Sequence, residues 1–221
     1  MSAHASDDPT THAIDADAVL WRDADAGRVG SDLLVVMHGI GSHEGDLFAL
    51  APFLPDRLTI AALRAPLQYG PGFAWYAAGS QMSTDSSLID ASARGVLAWL
   101  DGLEDEFRSV SLMGFSQGGA MTLQLLRHAP ERFAAVVQLS GFVFAGTSPG
   151  DAALASAEPR VPAFQAYGST DEMIAREATS RTVEWMRAHT DVEAHEYPMG
   201  HSIVQDELQD VVAFLDRVLP G

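Results

Sequence analysis

Short runs of apolar residues alternate along this chain with longer stretches in which apolar residues recur every three to four positions. The runs predict buried strands, and the longer period predicts helices with one apolar face. Strands that alternate with helices form a mostly parallel sheet covered on both faces, so the sequence predicts an α/β fold. Ligands of such folds bind beyond the carboxyl ends of the strands, which is where functional residues are expected.

The pattern predicts six strands and four helices in one domain. The strands are expected over residues 33–37, 58–63, 110–113, 134–139, 161–167 and 192–197. The helices are expected over residues 86–107, 117–129, 173–189 and 202–219. Residues 1–16 lack an apolar period and predict a flexible leader, and residues 17–221 suit a single domain. The stretch 141–160 is too short for a large lid, so an open cleft is expected.

The chain is strongly acidic, with 30 acidic residues against 13 arginines and no lysine, for a formal net charge of −17. This charge repels phosphate backbones and anionic headgroups, so nucleic acid is a poor partner. No apolar run approaches the roughly 20 residues of a membrane helix, and no stable membrane insertion is expected. The chain lacks cysteine and a signal-peptide pattern, which favours a cytoplasmic location. Both a GC-rich genome and salt adaptation fit the arginine-only, acidic composition.

The strongest local signal is the run Gly-Phe-Ser-Gln-Gly-Gly at residues 114–119, between a predicted strand and a predicted helix. A serine at such a turn has a strained backbone, and glycines at 114 and 118 let the strand and helix approach closely. The Ser116 hydroxyl then projects above the sheet beside a helix N-terminus, whose amides favour negative charge. Ser116 is therefore predicted to be a nucleophile.

A serine nucleophile needs a base, which in this chain order follows it. The downstream histidines are His128, His189, His195 and His201. His128 and His189 fall at predicted helix C-termini, and His195 falls inside a strand. His201 lies in the loop beyond the carboxyl end of the last strand, which is the position that a base requires. The sequence therefore predicts that His201 is the base.

The base needs an orienting acid, and Asp171 directly follows the fifth predicted strand, at the same edge of the sheet. Its neighbour Glu172 remains an alternative. Asp151 falls in a loop excursion, and Asp191 precedes its strand at the wrong end of the sheet. Asp171 could instead cap the helix expected to begin near Met173; the two tasks are treated as exclusive, and Asp171 is assigned to catalysis.

Two backbone amides are needed to stabilise the negative charge that develops on a substrate carbonyl. One is expected from Gln117, which follows the nucleophile. The other is expected from Ile40, in the glycine-rich turn at residues 38–41. His38 begins this turn and is interpreted as structural.

A group of side chains in this region has metal-ligand chemistry, namely His38, His43, Glu44 and Asp46. Glycines at 39, 41 and 45 break any helix that would pair two histidine ligands. No metal is therefore predicted.

These residues resemble the phospholipase/carboxylesterase family of α/β-hydrolases, which includes acyl-protein thioesterases. The resemblance spans about residues 32–217. It rests on His-Gly-Ile-Gly at 38–41 with Glu44, Asp46 and Leu47, on Arg-Ala-Pro at 64–66, on Trp75, on residues 114–119 and on Gly200-His201. It implies a triad of Ser116, Asp171 and His201, oxyanion amides from Ile40 and Gln117, and an acyl pocket lined by Trp75. Phe115 and Met199 are predicted to contact substrate as well, and no cofactor is expected.

The chain departs from the family pattern at two places. Met173-Ile174 stands where the family usually has Val-Val or Val-Pro, and Tyr76 stands at the usual phenylalanine. Both changes affect the shape of the pocket and leave the mechanism intact.

The predicted function is hydrolysis of small to medium acyl esters, with lysophospholipids among the candidates, through an acyl-serine intermediate. Because the negative field disfavours anionic substrates, neutral or zwitterionic esters are expected. An acyl thioesterase, or a lactone or amide hydrolase, with the same triad is left open, as is a ligand receptor on the same fold. A homodimer is compatible with the resemblance.

Overall fold

The computed structural model describes residues 11–78 and 85–220, which contain two β-sheets. The strands are β1 (Leu20–Arg22), β2 (Asp32–Met37), β3 (Leu58–Leu63), β4 (Leu67–Tyr69), β5 (Gly72–Ala74), β6 (Ser109–Phe115), β7 (Val136–Leu139), β8 (Pro162–Gly168) and β9 (Asp191–Tyr197). The larger sheet has the order β1-β3-β2-β6-β7-β8-β9; β1 is antiparallel to β3, and the other pairs are parallel. Strands β4 and β5 form a separate hairpin. The predicted α/β fold with a mostly parallel sheet is confirmed.

Helices cover both faces of the larger sheet. They are α1 (Gly45–Phe48), α2 (Ser87–Asp101), α3 (Gln117–His128), α4 (Pro149–Ser156), α5 (Arg176–His189) and α6 (Gln205–Val218). Helices α2 to α5 contribute to the core on one face, and α1 and α6 contribute to the core on the other. Within the described ranges, no helix is both long enough and apolar enough to cross a membrane.

Strand β2 explains why a continuous apolar run predicts a central strand. Its side chains alternate between the two cores: Leu33 and Val35 pack on one face, and Leu34 and Val36 on the other. All its residues are buried, because helices cover both faces. The parallel register of its neighbours brings the carboxyl ends of β2, β6, β7, β8 and β9 to one edge of the sheet.

Some elements differ from the predictions. The helix predicted over 86–107 ends at Asp101, where the Gly102 amide donates to the Ala98 carbonyl and closes the last turn. Leu103 and Phe107, which continue the apolar period, pack against the core from a non-helical segment. Strand β1, the β4–β5 hairpin and helices α1 and α4 have no counterpart among the predicted elements, since short elements contain too few residues to display a period.

The described end of the predicted leader contacts helix α2. Residues 1–10 lie outside the described residues. The His12 amide donates to the Ala91 carbonyl at 3.0 Å, and Ile14 packs against the core. Gly95 makes room for this segment, since a Cβ there would lie 1.8 Å from the His12 carbonyl oxygen.

Candidate active site

The predicted nucleophile lies at a sharp turn between β6 and α3. Ser116 has φ 56° and ψ −115°, a conformation that is costly for a residue with a side chain. A Cβ on Gly114 would lie 2.1 Å from the Gly118 carbonyl oxygen, and one on Gly118 would lie 1.8 Å from that of Met37. The absence of side chains at 114 and 118 therefore permits the close strand–helix contact that holds Ser116 at the carboxyl edge of the sheet.

Ser116, His201 and Asp171 form a continuous hydrogen-bonded chain at this edge. His201 Nε2 lies 2.9 Å from Ser116 Oγ, and His201 Nδ1 lies 2.7 Å from Asp171 Oδ2. Because an ionised carboxylate only accepts hydrogen bonds, Nδ1 carries the proton and Nε2 accepts from the serine hydroxyl. The side chains of Asp171 and His201 are 6% and 17% exposed, so water competes little for these bonds.

Backbone contacts join the two loops that carry Asp171 and His201. The Ser169 amide donates to the Tyr197 carbonyl at 2.9 Å. Thr170 donates to the Met199 carbonyl from its amide at 3.1 Å and from its hydroxyl at 2.9 Å. A Cβ on Gly168 would lie 2.3 Å from the same Met199 oxygen, which indicates how closely the loops approach. The acid and the base are therefore held together by main-chain atoms as well as by their own bond.

Asp171 uses its two oxygens for different tasks. Oδ2 accepts from His201, while Oδ1 accepts the Met173 and Ile174 amides at 2.8 and 3.1 Å. The latter bonds close the turn that follows β8, whereas α5 begins only at Arg176. Asp171 therefore does not cap the helix, whose N-cap is Ala175. Its bonds to the turn and to His201 are compatible, because each set uses one oxygen.

The two predicted oxyanion amides border the same cavity as Ser116. Ile40 and Gln117 both line it, and within the described residues neither amide donates to another protein group. Gln117 is the first residue of α3, where unpaired amides and the helix dipole favour negative charge. Gly41, with φ 77°, turns the loop that presents Ile40. Both amides are available to a negative charge that forms beside Ser116.

His38 is buried and fastens the turn that carries Ile40. Its Nε2 accepts the Ala65 amide at 3.1 Å, and its Nδ1 donates to the Gly39 carbonyl at 2.7 Å. Burial lowers the pKa of His38 below its ordinary value, which keeps the ring in the neutral form that this pair of bonds requires. This environment agrees with the structural role expected for His38.

The neighbouring acidic side chains bind other partners. Glu44 is hydrogen-bonded to Arg64, which lowers the pKa of the Glu44 carboxyl to about 2. Asp46 accepts from the Ser42 hydroxyl at 2.6 Å. In the part of the chain that the structure describes, no three acidic or histidine side chains converge as metal ligands would.

A cavity of about 360 Å³ opens beside the Ser116 hydroxyl. Its apolar wall includes Tyr69, Tyr76, Phe115, Phe142, Met173 and Ile174. Tyr69 and Met173 are 47% and 63% exposed, so they form the outer rim. Phe115, a predicted substrate contact, borders the cavity, and its ring centroid lies 4.8 Å from that of His201.

Sequence reasoning misses two of these wall residues, although local signals for them exist. Tyr69 begins a Tyr-Gly-Pro-Gly run between apolar residues, which is typical of a hairpin turn. The observed hairpin pairs with the loop that presents Ile40, because the Gly41 amide donates to the Phe73 carbonyl. Phe142 lies just beyond β7, and residues that follow a strand of this sheet lie at the same edge as Ser116.

Two other predicted substrate contacts lie away from the cavity. Trp75 is fully buried in the core, and its indole Nε1 donates to the His38 carbonyl at 2.9 Å. Tyr76, the next residue, lines the cavity instead. The Met199 side chain is buried in the core on the opposite face of the sheet, so only its carbonyl serves the site. Neither side chain is among those that line the described cavity.

The remaining candidate histidines lie elsewhere in the fold. His128 binds Asp90 at 2.7 Å, and His189 bonds the Trp185 carbonyl at 2.7 Å. His195 stacks on Phe164 within the sheet, with ring centroids 4.8 Å apart.

The alternative acids are also placed away from His201. Asp151 lies in helix α4 and pairs with Arg127, which corrects its expected position in a loop. Asp191 begins β9, at the far end of that strand from His201. Glu172 is exposed.

Together these groups can perform acyl transfer. A serine hydroxyl donates to a neutral imidazole, the imidazole donates to a carboxylate, and two amides are available beside the hydroxyl. This set can generate an alkoxide nucleophile and stabilise a tetrahedral oxyanion. The apolar cavity alongside supplies a surface for an acyl chain.

The chain is similar to several known proteins. A family model described as "Phospholipase/Carboxylesterase" matches residues 26–219. The chain is 30% identical over 224 residues to acyl-protein thioesterase 1 of Mycosarcoma maydis, covering 85% of this chain and 91% of that protein. It is 29% identical over 186 residues to carboxylesterase SOBER1 of Arabidopsis thaliana, covering 79% and 77%.

A solved structure shares the fold at lower identity. The crystal structure of Zea mays acyl-protein thioesterase 2 superposes with a TM-score of 0.72 at 22% identity. The match covers 91% of this chain and 98% of that chain. At this level of identity the likeness concerns the fold alone.

Proposed function

The chain belongs to the phospholipase/carboxylesterase family, and from that membership we propose that it is a serine carboxylesterase acting through an acyl-serine intermediate. The observation that carries the proposal is the hydrogen-bonded chain from Ser116 Oγ through His201 to Asp171, at 2.9 and 2.7 Å. Family membership indicates hydrolysis of esters or thioesters. The three side chains supply the mechanism.

In the first half-reaction, His201 Nε2 takes the hydroxyl proton of Ser116 while Oγ attacks the carbonyl carbon of the ester. Asp171 orients the imidazole and stabilises its protonated form. The amides of Ile40 and Gln117 bind the oxyanion of the tetrahedral intermediate. When the intermediate collapses, His201 gives the proton to the departing alcohol, and the acyl group remains on Ser116.

In the second half-reaction, a water molecule replaces the alcohol. His201 takes a proton from the water, whose oxygen attacks the acyl carbonyl, and the same two amides bind the new oxyanion. Collapse of this intermediate returns the proton to Ser116 Oγ and releases the carboxylic acid. The free hydroxyl is thereby restored.

The volume of the cavity, about 360 Å³, supports short to medium acyl chains as substrates. Its wall is largely apolar, and Tyr69 and Met173 at the rim are exposed, so the cleft is open to solvent. A net charge of −17 disfavours approach of free anionic substrates. Neutral esters and zwitterionic lysophospholipids are therefore the preferred candidates.

Thioester hydrolysis is a second candidate, which the names of the relatives favour. The relative from M. maydis is named an acyl-protein thioesterase. The same nucleophile, base and oxyanion amides would cleave a thioester, since only the leaving group differs. Parallel assays with an ester and a thioester of one acyl chain decide between the two.

The proposal is tested with p-nitrophenyl esters from acetate to palmitate, with Ser116→Ala measured beside the wild type. We expect kcat/KM to peak at a short or medium chain, and the variant to lose on the order of 10⁶ in kcat. A neighbouring substitution outside the hydrogen-bonded chain, Ser169→Ala, is the matched control. Equal rates for wild type and Ser116→Ala, or none in either, would overturn the proposal.

A further inference from the structure

Trp75 binds both halves of the proposed oxyanion hole. Its indole Nε1 donates to the carbonyl of His38, in the loop that carries Ile40, at 2.9 Å. Its backbone amide donates to the side-chain Oε1 of Gln117 at 2.9 Å. Ile40 and Gln117 both line the cavity, and their backbone amides are available to a group bound there. One residue therefore connects the loop that carries Ile40 to the first turn of α3.

The Gln117 side chain makes a second hydrogen bond to the segment 75–76. Its side-chain Nε2 donates to the Tyr76 carbonyl at 2.9 Å, so its amide group is bonded on both sides. The Gln117 side chain is buried, and these bonds hold it against the segment 75–76. Movement of this segment would therefore displace the first turn of α3, where the Gln117 amide lies.

The Trp75 backbone is itself anchored from helix α2. The Ser92 hydroxyl donates to the Trp75 carbonyl at 2.5 Å, and Ser92 is fully buried. His12 Nδ1 lies 3.0 Å from the same hydroxyl oxygen, which has already used its proton and can only accept. The donors and acceptors of Trp75 are thus all engaged, which fixes the orientation of its ring.

We propose that Trp75 is a positioning residue that sets the spacing between the Ile40 and Gln117 amides. The inference rests on the proposed esterase function and deepens it. The loop that carries Ile40 is held at its far end by the Gly41–Phe73 backbone bond, at 2.8 Å, and at its near end by the His38 side chain and by the indole of Trp75. Oxyanion donors act because they are already in place when charge develops, so a loop that loses one of its near-end bonds stabilises the transition state less well.

The test is Trp75→Phe, which removes the indole N–H but retains an aromatic ring and the backbone amide. We expect kcat to fall about tenfold, less than the 10²–10³ that loss of a whole oxyanion donor costs, with KM changed less than about twofold. Titration of active sites with a fluorophosphonate corrects for any misfolded fraction. The inhibition constant of an alkyl trifluoromethyl ketone, whose serine adduct places an oxyanion between the two amides, should rise by the same factor as kcat/KM falls.

Trp185→Phe is the matched control, because the Trp185 indole N–H is buried without a hydrogen-bond partner among the described residues. It should leave kcat and the inhibition constant unchanged.

If Trp75→Phe fails to fold, Ser92→Ala perturbs Trp75 through its carbonyl and should shift kcat and the inhibition constant together, by a smaller factor. Unchanged kinetics in a titrated variant, or a change in KM alone, would overturn the positioning role. Wild-type protein without Ser116-dependent hydrolysis would overturn the proposed function and this inference together.

Discussion

At the scale of single residues, the site depends on side chains that make more than one bond. Asp171 accepts from His201 with one oxygen and from two backbone amides with the other. The amides fix the carboxylate plane, so Oδ2 is directed at the imidazole before any substrate arrives. Capping the turn therefore contributes to catalysis and does not compete with it.

The substitution Asp171→Asn separates these tasks. The carbonyl oxygen of the introduced side chain can still accept the Met173 and Ile174 amides, so the turn persists, but its NH₂ group faces His201 Nδ1. The imidazole must then carry its proton on Nε2, where it cannot accept from Ser116. We expect kcat to fall by on the order of 10⁴ with folding retained, measured by steady-state kinetics and circular dichroism.

The control for this variant is Glu172→Gln, which changes an exposed carboxylate at the next position and should leave kcat near the wild-type value. If Asp171→Asn keeps kcat within about tenfold of wild type, Asp171 is not the acid of the triad.

At the scale of elements, the loop that carries His201 is anchored by the first turn of α6. The Glu207 carboxylate accepts the Val204 amide at 3.2 Å, while its second oxygen is buried without a partner among the described residues. Burial raises the pKa of Glu207 to about 7. The hydroxyl of nearby Tyr197 donates to Asp210 at 2.6 Å, so this hydroxyl does not donate a hydrogen bond to Glu207.

This raised pKa makes stability depend on pH. The folded state binds the Glu207 proton more tightly than the unfolded state does, so folding is favoured at low pH. The stability contribution is complete below the ordinary pKa of 4.5 and is lost as pH rises through about 7. Glu207→Gln removes this dependence, and its stability relative to wild type should increase by about 1–2 kcal/mol from about pH 5.5 to about pH 8.

Urea denaturation at both pH values measures this difference, and any pH-independent cost of the amide cancels. Asp206→Asn, at an exposed position in the same turn, is the control and should have no such dependence. A constant difference between Glu207→Gln and wild type across this range would contradict the assignment.

At the scale of the whole molecule, charge opposes compactness. With 30 acidic residues and 13 arginines, most carboxylates have no arginine of their own, even though pairs such as Arg127–Asp151 and Arg64–Glu44 form. Two apolar cores, one on each face of the sheet, offset this repulsion. They bury the apolar residues of β2 and β3 completely. The stability of the fold therefore comes chiefly from burial, against a self-repelling surface.

Salt should therefore stabilise this protein. Raising ionic strength from about 0.01 M to about 0.1 M shortens the screening length from roughly 30 Å to roughly 10 Å, which weakens repulsion between the excess carboxylates. We expect the unfolding temperature to rise by a few degrees, measured by calorimetry. Tetramethylammonium chloride should act like sodium chloride if screening is the cause; a falling unfolding temperature would mean that surface ion pairs outweigh the repulsion.

The sequence by itself determined the fold class and indicated the three side chains of the hydrogen-bonded chain. Apolar runs and helical periods record which faces of each element are buried, and burial is a local requirement that each segment must meet. Glycines at 114 and 118 indicate a strand–helix contact that is too close for any side chain at these positions. Ser116, Asp171 and His201 could be predicted because each follows a strand, and the carboxyl ends of these strands lie at one edge of the sheet.

Only the tertiary structure decided which side chains the loops present. Trp75 and Tyr76 are adjacent and both aromatic, yet one is buried and hydrogen-bonded to His38 while the other lines the cavity. Asp171 performs two tasks because the β9 loop brings His201 to its second oxygen. Loop residues lack a repeating pattern, so their orientation depends on partners from distant parts of the chain.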